Sequence, residues 1–185
     1  MKTLIFTYGR FNPPTLGHEL LFNLMRQTRI KYKHAETMVV LSHSNDKNKN
    51  PLDIDFKFNI LSKAYTTMNF VKASSQYPSF IQHLTLASPN YDKLIFVCGE
   101  DRVEEYKRLL NNYNHFDFNF KEIEVMSVGK RDESDDVSGI SGSKMRQFVK
   151  DSDKESFKLN CPLAFSEGFK NVTYNYLRVK EKDDE

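Results

Sequence analysis

The chain has few of the features that mark secreted or membrane proteins. Its 185 residues include two cysteines, Cys98 and Cys161. Two cysteines make neither a disulfide framework nor a zinc site, so both are expected to be free thiols of a reducing compartment. The apolar runs are far shorter than the about 20 residues of a membrane helix, and the N-terminus resembles no signal peptide. These absences predict a cytoplasmic protein that does not enter a membrane.

A strong charge of either sign is also missing. Lysine and arginine together number 27 and aspartate and glutamate 25, which leaves a net charge of +2. A balance this small gives no reason to expect nucleic-acid binding. The hydrophobic share of 39% and the length both suit one globular domain with a sizeable core.

Short apolar runs alternate along the chain with stretches of helical periodicity. Strands that are apolar throughout, separated by helices, are typical of a parallel α/β sheet with helices on both faces. The predicted strands are residues 4–7, 38–42, 70–73, 94–98 and 123–127, and the predicted helices are residues 19–29, 55–66, 80–87 and 103–113.

The last part of the chain differs from this alternation. Residues 151–185 carry scattered aromatic and aliphatic side chains, which predict one or two helices. We therefore expect a catalytic core over residues 1–150 and a helical extension over residues 151–185. The extension would pack back on the core or on a partner chain, so a homo-oligomer is one possibility.

The most informative string is residues 8–18, Tyr-Gly-Arg-Phe-Asn-Pro-Pro-Thr-Leu-Gly-His. It joins the first predicted strand to the first predicted helix. A helix start offers unpaired backbone N–H groups and the positive end of a dipole, which attract phosphate. Gly9 and Gly17 let a ligand approach the main chain, and His18 adds a further donor. Taken alone, the pair Gly17 and His18 would belong to an ordinary turn with a surface histidine.

This string resembles the signature of the nucleotidyltransferase superfamily, Gly-x-Phe-x-Pro-x-(His/Thr)-x-Gly-His. A second signature of that superfamily, Ile-Ser-x-(Thr/Ser)-x-x-Arg, is similar to residues 140–146, Ile-Ser-Gly-Ser-Lys-Met-Arg, with Ser143 where threonine is commoner. The positions that match the first signature are Gly9, Phe11, Pro13, Thr15, Gly17 and His18.

The resemblance implies a fold and a reaction. The fold would be a Rossmann-like, doubly wound sheet of five parallel strands in the order 3-2-1-4-5. In the reaction, a phosphate of an acceptor attacks the α-phosphorus of a nucleoside triphosphate and pyrophosphate leaves. The protein positions the reactants and stabilises charge on the phosphates. Mg²⁺ would arrive mainly with the triphosphate rather than in a metal site of the protein.

The resemblance also assigns roles to residues of the two motifs. Thr15 and His18 would act at the reacting phosphates, and Ser141 and Ser143 would hold the β- and γ-phosphates. Arg146, as a catalytic residue, would add positive charge and bind the phosphates in a bidentate manner. The full set of expected nucleotide-binding residues is Gly9, Arg10, Phe11, Asn12, Gly17, His18, Gly99, Asp101, Ile140, Ser141, Ser143, Lys144 and Arg146.

Three further segments are candidates for the site. Residues 42–50 form a polar loop in which Lys47 is a candidate catalytic residue and Lys49 a candidate substrate-binding residue, although a lysine run on a loop is as often merely solvated. Asp101, after the fourth strand, is expected to accept from ribose hydroxyls. The alternative interpretation is that Asp101 caps the next helix, which is compatible with ligand binding. Arg131 is the second candidate for binding the acceptor.

The resemblance favours an enzyme that uses ATP. The first motif and the pair Gly99 and Asp101 are most like nicotinamide-nucleotide adenylyltransferases, which would make NAD from nicotinamide mononucleotide. Thr15 is also found in pantetheine-phosphate adenylyltransferases, and cytidylyltransferases share both motifs. A non-catalytic nucleotide-binding protein on the same fold is the alternative outside enzymes. The expected partners are ATP or another nucleoside triphosphate and a small phosphorylated acceptor.

Overall fold

A parallel β-sheet forms the centre of the molecule. The computed structural model describes residues 1–129 and 140–182, and within these ranges the chain forms five strands and seven α-helices. The strands are β1 Thr3–Gly9, β2 Ala35–Leu41, β3 Phe70–Lys72, β4 Lys93–Cys98 and β5 Glu122–Ser127.

All four strand pairings are parallel, and the strand order is β3-β2-β1-β4-β5. The predicted fold class and the predicted order 3-2-1-4-5 are confirmed. Strand β1 lies at the centre, and the order of the chain reverses between β1 and β4. In doubly wound sheets a ligand crevice forms at this reversal, beyond the carboxyl ends of the strands.

Helices cover both faces of the sheet. Several begin at a side chain that caps the first turn, as Asp53 and Ser79 do by accepting from Phe56 N–H and Gln82 N–H. The helices are α1 Leu16–Lys31, α2 Ile54–Ala64, α3 Phe80–Ala87, α4 Val103–Tyr113, α5 Gly142–Lys150, α6 Lys154–Leu159 and α7 Glu167–Lys182.

Two hydrophobic clusters fill the space between helices and sheet. One is formed by α1, α2 and α5–α7, with Phe22 and Leu177 among its buried members. The other is formed by α3 and α4 on the opposite face, with Phe96 and Leu110 buried in it. Because α6 and α7 supply residues to the first cluster, the C-terminal segment packs into the same core as the sheet.

The C-terminal segment also contacts the first helix directly. The Asn160 carbonyl accepts the N–H of Leu16, the first residue of α1. Glu19, one turn further along α1, accepts from the Tyr65 hydroxyl and from the Ala164 backbone N–H. Burial raises the pKa of the Glu19 carboxyl, against the opposing charge of Arg26. In the parts of the chain described, no helix is long and apolar enough to cross a membrane.

Candidate active site

The turn after β1 is shaped by packing of an aromatic ring. Phe11 has a left-handed backbone conformation, with φ of 47°. Its ring lies edge-on to the His18 imidazole at 4.6 Å and against Phe22 at 5.5 Å between centroids. A Cβ at Gly9 would lie 2.9 Å from this ring, so the turn leaves no room for a side chain there. Gly9 and Phe11 therefore form the floor of the site.

Asn12 holds this turn against a neighbouring loop. Its side-chain amide donates to the Leu52 carbonyl at 3.1 Å and accepts from the Leu52 N–H at 2.8 Å. The side chain is buried, and the Asn12 carbonyl accepts from Arg146 Nη1 at 2.7 Å. Asn12 was predicted to bind nucleotide. The geometry commits its side chain to the protein main chain, so it orients the turn that lines the cavity.

The start of α1 fixes the orientation of His18. Thr15 is the N-cap residue, and its backbone N–H donates to His18 Nδ1 at 2.9 Å. A ring nitrogen that accepts a hydrogen bond carries no proton, so the neutral imidazole holds its proton on Nε2. The imidazole is half-buried in the cavity wall. This arrangement suits donation to an anionic oxygen at the helix start.

The second motif forms the start of α5. Ser141 is the N-cap residue and accepts from the Lys144 N–H at 3.2 Å. Ser143 Oγ accepts from Arg146 Nη2, also at 3.2 Å. Each serine oxygen acts as an acceptor within the protein, which leaves its hydroxyl hydrogen able to donate to a ligand. A Cβ at Gly142 would lie 3.2 Å from the Asn12 carbonyl, so this glycine lets α5 approach the first turn.

Arg146 links the two motifs. Its guanidinium bonds both the Asn12 carbonyl and Ser143 Oγ, so one side chain joins the loop after β1 to the start of α5. Burial lowers the pKa of this guanidinium, and the charge of Arg10 lowers it further while Asp46 opposes both. Arginine stays protonated under these conditions. Two cations held close together in this way favour binding of a polyanion.

A cavity of about 490 Å³ lies at the carboxyl ends of the strands, between the two motifs. Its cationic side chains are Arg10, Lys49, Arg102 and Arg146. Among the described residues that line it, none is aspartate or glutamate. The predicted site residues that line it are Gly9, Arg10, Phe11, Asn12, Thr15, Gly17, His18, Lys49, Gly99, Ile140, Ser141, Ser143 and Arg146.

Three of the predicted residues that the structure describes are not part of this lining. Lys47 lies beside a shallow recess next to Arg146 and α7, and Lys144 is exposed on α5. Asp101 is exposed as well, but its Oδ1 would lie 2.9 Å from a Cβ at Gly99, so its carboxylate folds back towards the cavity rim. Arg131 falls outside the described residues.

Helix α4 does not use Asp101 as its cap. The N-cap residue is Arg102, after a 3₁₀ turn over Glu100–Arg102, and no side chain caps the helix. The alternative interpretation of Asp101 as the helix cap is therefore wrong. The 3₁₀ turn instead brings Arg102 to the cavity.

The wall of the cavity beside β4 contains residues that were not predicted to belong to the site. The Arg102 guanidinium lies 4.9 Å from the centroid of the Tyr106 ring and contacts Glu105 at 3.4 Å. Tyr8 and Cys98 complete this wall. Burial raises the pKa of the Cys98 thiol to about 11, so the thiol is neutral at pH 7 and a poor nucleophile. The wall therefore offers one cation and two aromatic rings to a ligand.

The loop over residues 42–50 is held in shape by Asp46. Its carboxylate accepts from Asn48 N–H, Lys49 N–H and the Asn50 side chain at 3.0, 2.8 and 2.7 Å. The Asp46 N–H also donates to the Asn50 carbonyl. These bonds, the Asn50 contact foremost, hold the pKa of Asp46 at about 2. The loop is thus a formed turn that presents Lys49 to the cavity.

With this geometry in place, comparison with known proteins gives the class. Residues 6–148 match the Cytidylyltransferase-like family, and the chain belongs to that family. The resemblance to the nucleotidyltransferase superfamily is thereby confirmed.

One curated relative is the probable nicotinate-nucleotide adenylyltransferase of Acholeplasma laidlawii (strain PG-8A). It is 25% identical over 123 residues, which cover 60% of this chain and 64% of that protein. The chain therefore spans just under two thirds of the length of this relative.

Three solved structures share the fold at low sequence identity. A putative nicotinate-nucleotide adenylyltransferase from Vibrio parahaemolyticus has a TM-score of 0.60 at 14% identity, covering 94% of this chain and 99% of that one. A bifunctional NMN adenylyltransferase/ADP ribose pyrophosphatase from Francisella tularensis scores 0.65 at 12%, covering 99% and 54%. Thermotoga maritima TmcAL bound with alpha-thio ATP scores 0.59 at 11%, covering 99% and 56%.

Proposed function

We propose that this protein transfers an adenylyl group from ATP to nicotinamide mononucleotide, giving NAD and pyrophosphate. The observation that carries the proposal is the charge of the cavity. Arg10, Lys49, Arg102 and Arg146 line it without any carboxylate among the described lining residues, although the net charge of the chain is only +2. A triphosphate and a phosphorylated acceptor are the ligands that such a cavity attracts. The names of the relatives support the adenylyl group.

The proposed chemistry requires positioning rather than an enzyme nucleophile. A phosphate oxygen of the acceptor attacks the α-phosphorus, the bond from the α-phosphorus to the bridging oxygen breaks, and pyrophosphate takes both electrons of that bond. His18 Nε2–H donates to an oxygen on the reacting phosphate. Ser141, Ser143 and Arg146 donate to the leaving pyrophosphate. Donors already held by Thr15 and Asn12 need little rearrangement in the transition state.

The residues of the cavity indicate how Mg²⁺ would enter. A hard cation prefers oxygen ligands, and carboxylates are the usual protein donors. In the described parts of the chain, no group of three or more His, Cys, Asp or Glu residues could hold a metal ion. The cavity donors are suited to phosphate instead. We expect Mg²⁺ to be held by the triphosphate, whose charge it would reduce, while the side chains grip the remaining oxygens.

Arg102 favours a second acceptor, nicotinate mononucleotide. Nicotinate carries a carboxylate where nicotinamide carries a neutral amide, and a guanidinium pairs with carboxylate in two-pronged fashion. The long 3.4 Å contact to Glu105 and the exposure of Arg102 leave this cation able to turn towards a ligand. The buried Tyr106 ring, on which the guanidinium lies, holds Arg102 at the cavity wall.

A single set of assays separates these possibilities. The protein is incubated with Mg²⁺ and either ATP or CTP, against nicotinamide mononucleotide, nicotinate mononucleotide and phosphopantetheine, while pyrophosphate and the dinucleotide product are measured. NAD formation from ATP supports the first proposal, and a preference for nicotinate that Arg102→Met abolishes supports the second. Turnover with CTP alone would identify a cytidylyltransferase. Binding of ATP without pyrophosphate from any pair would identify a non-catalytic nucleotide-binding protein.

A further inference from the structure

A lysine is completely buried beside the site. Lys57 lies on α2 and is 0% exposed. Lysine is almost never fully buried unless it is paired, because its charge loses hydration. Lys63, on the same helix, is exposed. The buried position therefore reflects a specific set of contacts and is no general property of this helix.

The Lys57 ammonium joins the ends of two strands. The ladder between β1 and β2 ends where the Ser42 N–H donates to the Gly9 carbonyl at 2.9 Å. One residue beyond, Lys57 Nζ donates to the Arg10 carbonyl at 2.8 Å and to the Ser42 carbonyl at 2.9 Å. The Lys57 side chain thus connects the two strands by hydrogen bonds at the point where they leave the sheet and continue as loops.

Both of these loops carry residues of the cavity. The first leads from Arg10 to Thr15, and the second leads from Ser42 to the turn that presents Lys49. The separation of the two carbonyls held by Lys57 therefore influences the distance between these cavity walls. The bonds between Asn12 and Leu52 join the same two loops further out.

A nearby carboxylate, that of Asp53, favours the charged form of Lys57. Asp53, one turn earlier on α2, attracts the ammonium, although burial is the larger effect and lowers the pKa of Lys57 to about 8. The Asp53 carboxylate caps α2 through the Phe56 N–H at 2.8 Å and accepts from the Tyr176 hydroxyl at 2.5 Å. A polar chain therefore runs from α7 to the strand ends.

We propose that Lys57 is a positioning residue that holds the loop after β1 and the loop after β2 at the separation that nucleotide binding requires. It does not line the cavity and is not expected to touch ligand. The part of this proposal that concerns ligand binding rests on the function proposed above. The part that concerns the local order of the two loops is independent of any substrate.

The test compares Lys57→Met, Lys57→Gln, Lys57→Arg and a matched control, Lys63→Met, in the full chain. Hydrogen exchange is followed in residues 10–12 and 42–50, with residues 94–98 of β4 as the internal reference. ATP affinity is measured by calorimetry with Mg²⁺. In Lys57→Met we expect exchange about tenfold faster in both loops and ATP binding about tenfold weaker, as for loss of a hydrogen bond from a charged donor.

The outcomes distinguish a residue that positions the two loops from one that only stabilises the whole fold. Exchange in residues 94–98 should stay at the wild-type level, Lys57→Arg should recover much of the ATP affinity, and Lys63→Met should match wild type. Should Lys57→Met fail to fold, Lys57→Gln provides the same comparison. Unchanged loops, or acceleration spread equally over loops and sheet, would overturn the proposal. Failure of the wild type to bind any triphosphate would overturn the proposed function, while the exchange result would still decide the role of Lys57.

Discussion

At the scale of single residues, His18 has two separate tasks. Nδ1 accepts from the Thr15 N–H and so belongs to the structure of the helix start. In the reaction that we propose, Nε2–H donates to an oxygen of the reacting phosphate. Because the two nitrogens have different tasks, a substitution can remove one and keep the other.

We predict that His18→Ala and His18→Asn both lower kcat by about 100-fold or more, as for loss of one transition-state donor. The asparagine oxygen can accept from the Thr15 N–H as Nδ1 does, so His18→Asn should melt closer to wild type than His18→Ala. Steady-state kinetics and thermal melts measure the two effects. Near-normal turnover in His18→Asn would remove Nε2 from the mechanism.

Arg146 is a residue whose geometry counts as much as its charge. It bonds the Asn12 carbonyl and Ser143 Oγ at once, which a lysine ammonium cannot reproduce in the same plane. We predict that Arg146→Lys lowers kcat/KM for the triphosphate by about 10- to 100-fold, the size expected for one lost charged hydrogen bond. Lys150→Arg, on the exposed end of the same helix, is the control. Equal kcat/KM in Arg146→Lys and wild type would place Arg146 outside the site.

At the scale of elements, the loop over residues 42–50 depends on one carboxylate. The pKa of Asp46 is about 2, below its ordinary value of 3.8, because Asn50 and the neighbouring N–H groups bond the ionised form. At pH values above 3.8 the ionised Asp46 carboxylate stabilises the turn. This stabilisation is lost as the pH falls through the lowered pKa of about 2. The loop should therefore keep its shape through the mildly acidic range.

We predict that Asn50→Ala raises the pKa of Asp46 towards its ordinary value, because the largest stabilising contact is removed. Carboxyl NMR over pH 2 to 6 follows the titration directly. The exposed Asp55 serves as the reference within the same spectra. An Asp46 midpoint that does not move in Asn50→Ala would show that the backbone N–H groups alone hold the turn.

Patterns in the sequence predict elements well where the pattern reports burial. Every predicted strand and helix is present, because apolar runs and helical spacing reflect the two faces of the sheet. Helix α1 begins at Leu16 rather than residue 19, since the Thr15 cap and not the first apolar side chain sets its start. Residues of the two motifs line one cavity.

Residues that act through distant contacts were missed for a physical reason. In the sequence, Lys57 looks like any solvated lysine of a helix. The role that we propose for it depends on two carbonyls that lie 15 and 47 positions away. The side-chain amide of Asn12 bonds a backbone 40 positions away, which its place in the motif did not indicate, and its predicted contact with nucleotide stays a prediction. Tyr106 has the pattern of an ordinary core residue. Such roles follow from tertiary neighbours, which spacing along one chain does not contain.

At the scale of the whole molecule, the C-terminal segment belongs to the core. Phe157, Phe165, Tyr174 and Leu177 are all buried in the cluster that also contains Phe22. Burying a large apolar side chain stabilises by about 1.5–3 kcal/mol. Four such residues contribute about 6–12 kcal/mol, which is comparable to the about 5–15 kcal/mol of net stability of a typical domain. We propose that the extension over residues 151–185 follows the catalytic core in the sequence but folds cooperatively with it.

We predict that a chain ending at residue 150 does not fold stably. The less drastic Leu177→Ala should lower the free energy of unfolding by about 2–5 kcal/mol, as for other buried leucines. Val179→Ala, two residues further along the same helix and exposed, should change it little. Urea unfolding of the two variants makes the comparison. A cooperative, nucleotide-binding chain of 150 residues would contradict the proposal.

The hydrogen bond from Leu16 to Asn160 has a consequence for biosynthesis. A ribosome adds residues from the N-terminus onwards, and a domain generally folds as a unit. The strands of the sheet and both motifs are synthesised before the carbonyl that completes the start of α1. We expect the growing chain to fold stably only after α7 has left the ribosome, because α7 supplies buried residues of the same core. The hydrogen bond that completes the start of α1 therefore forms late, together with the packing of the C-terminal segment.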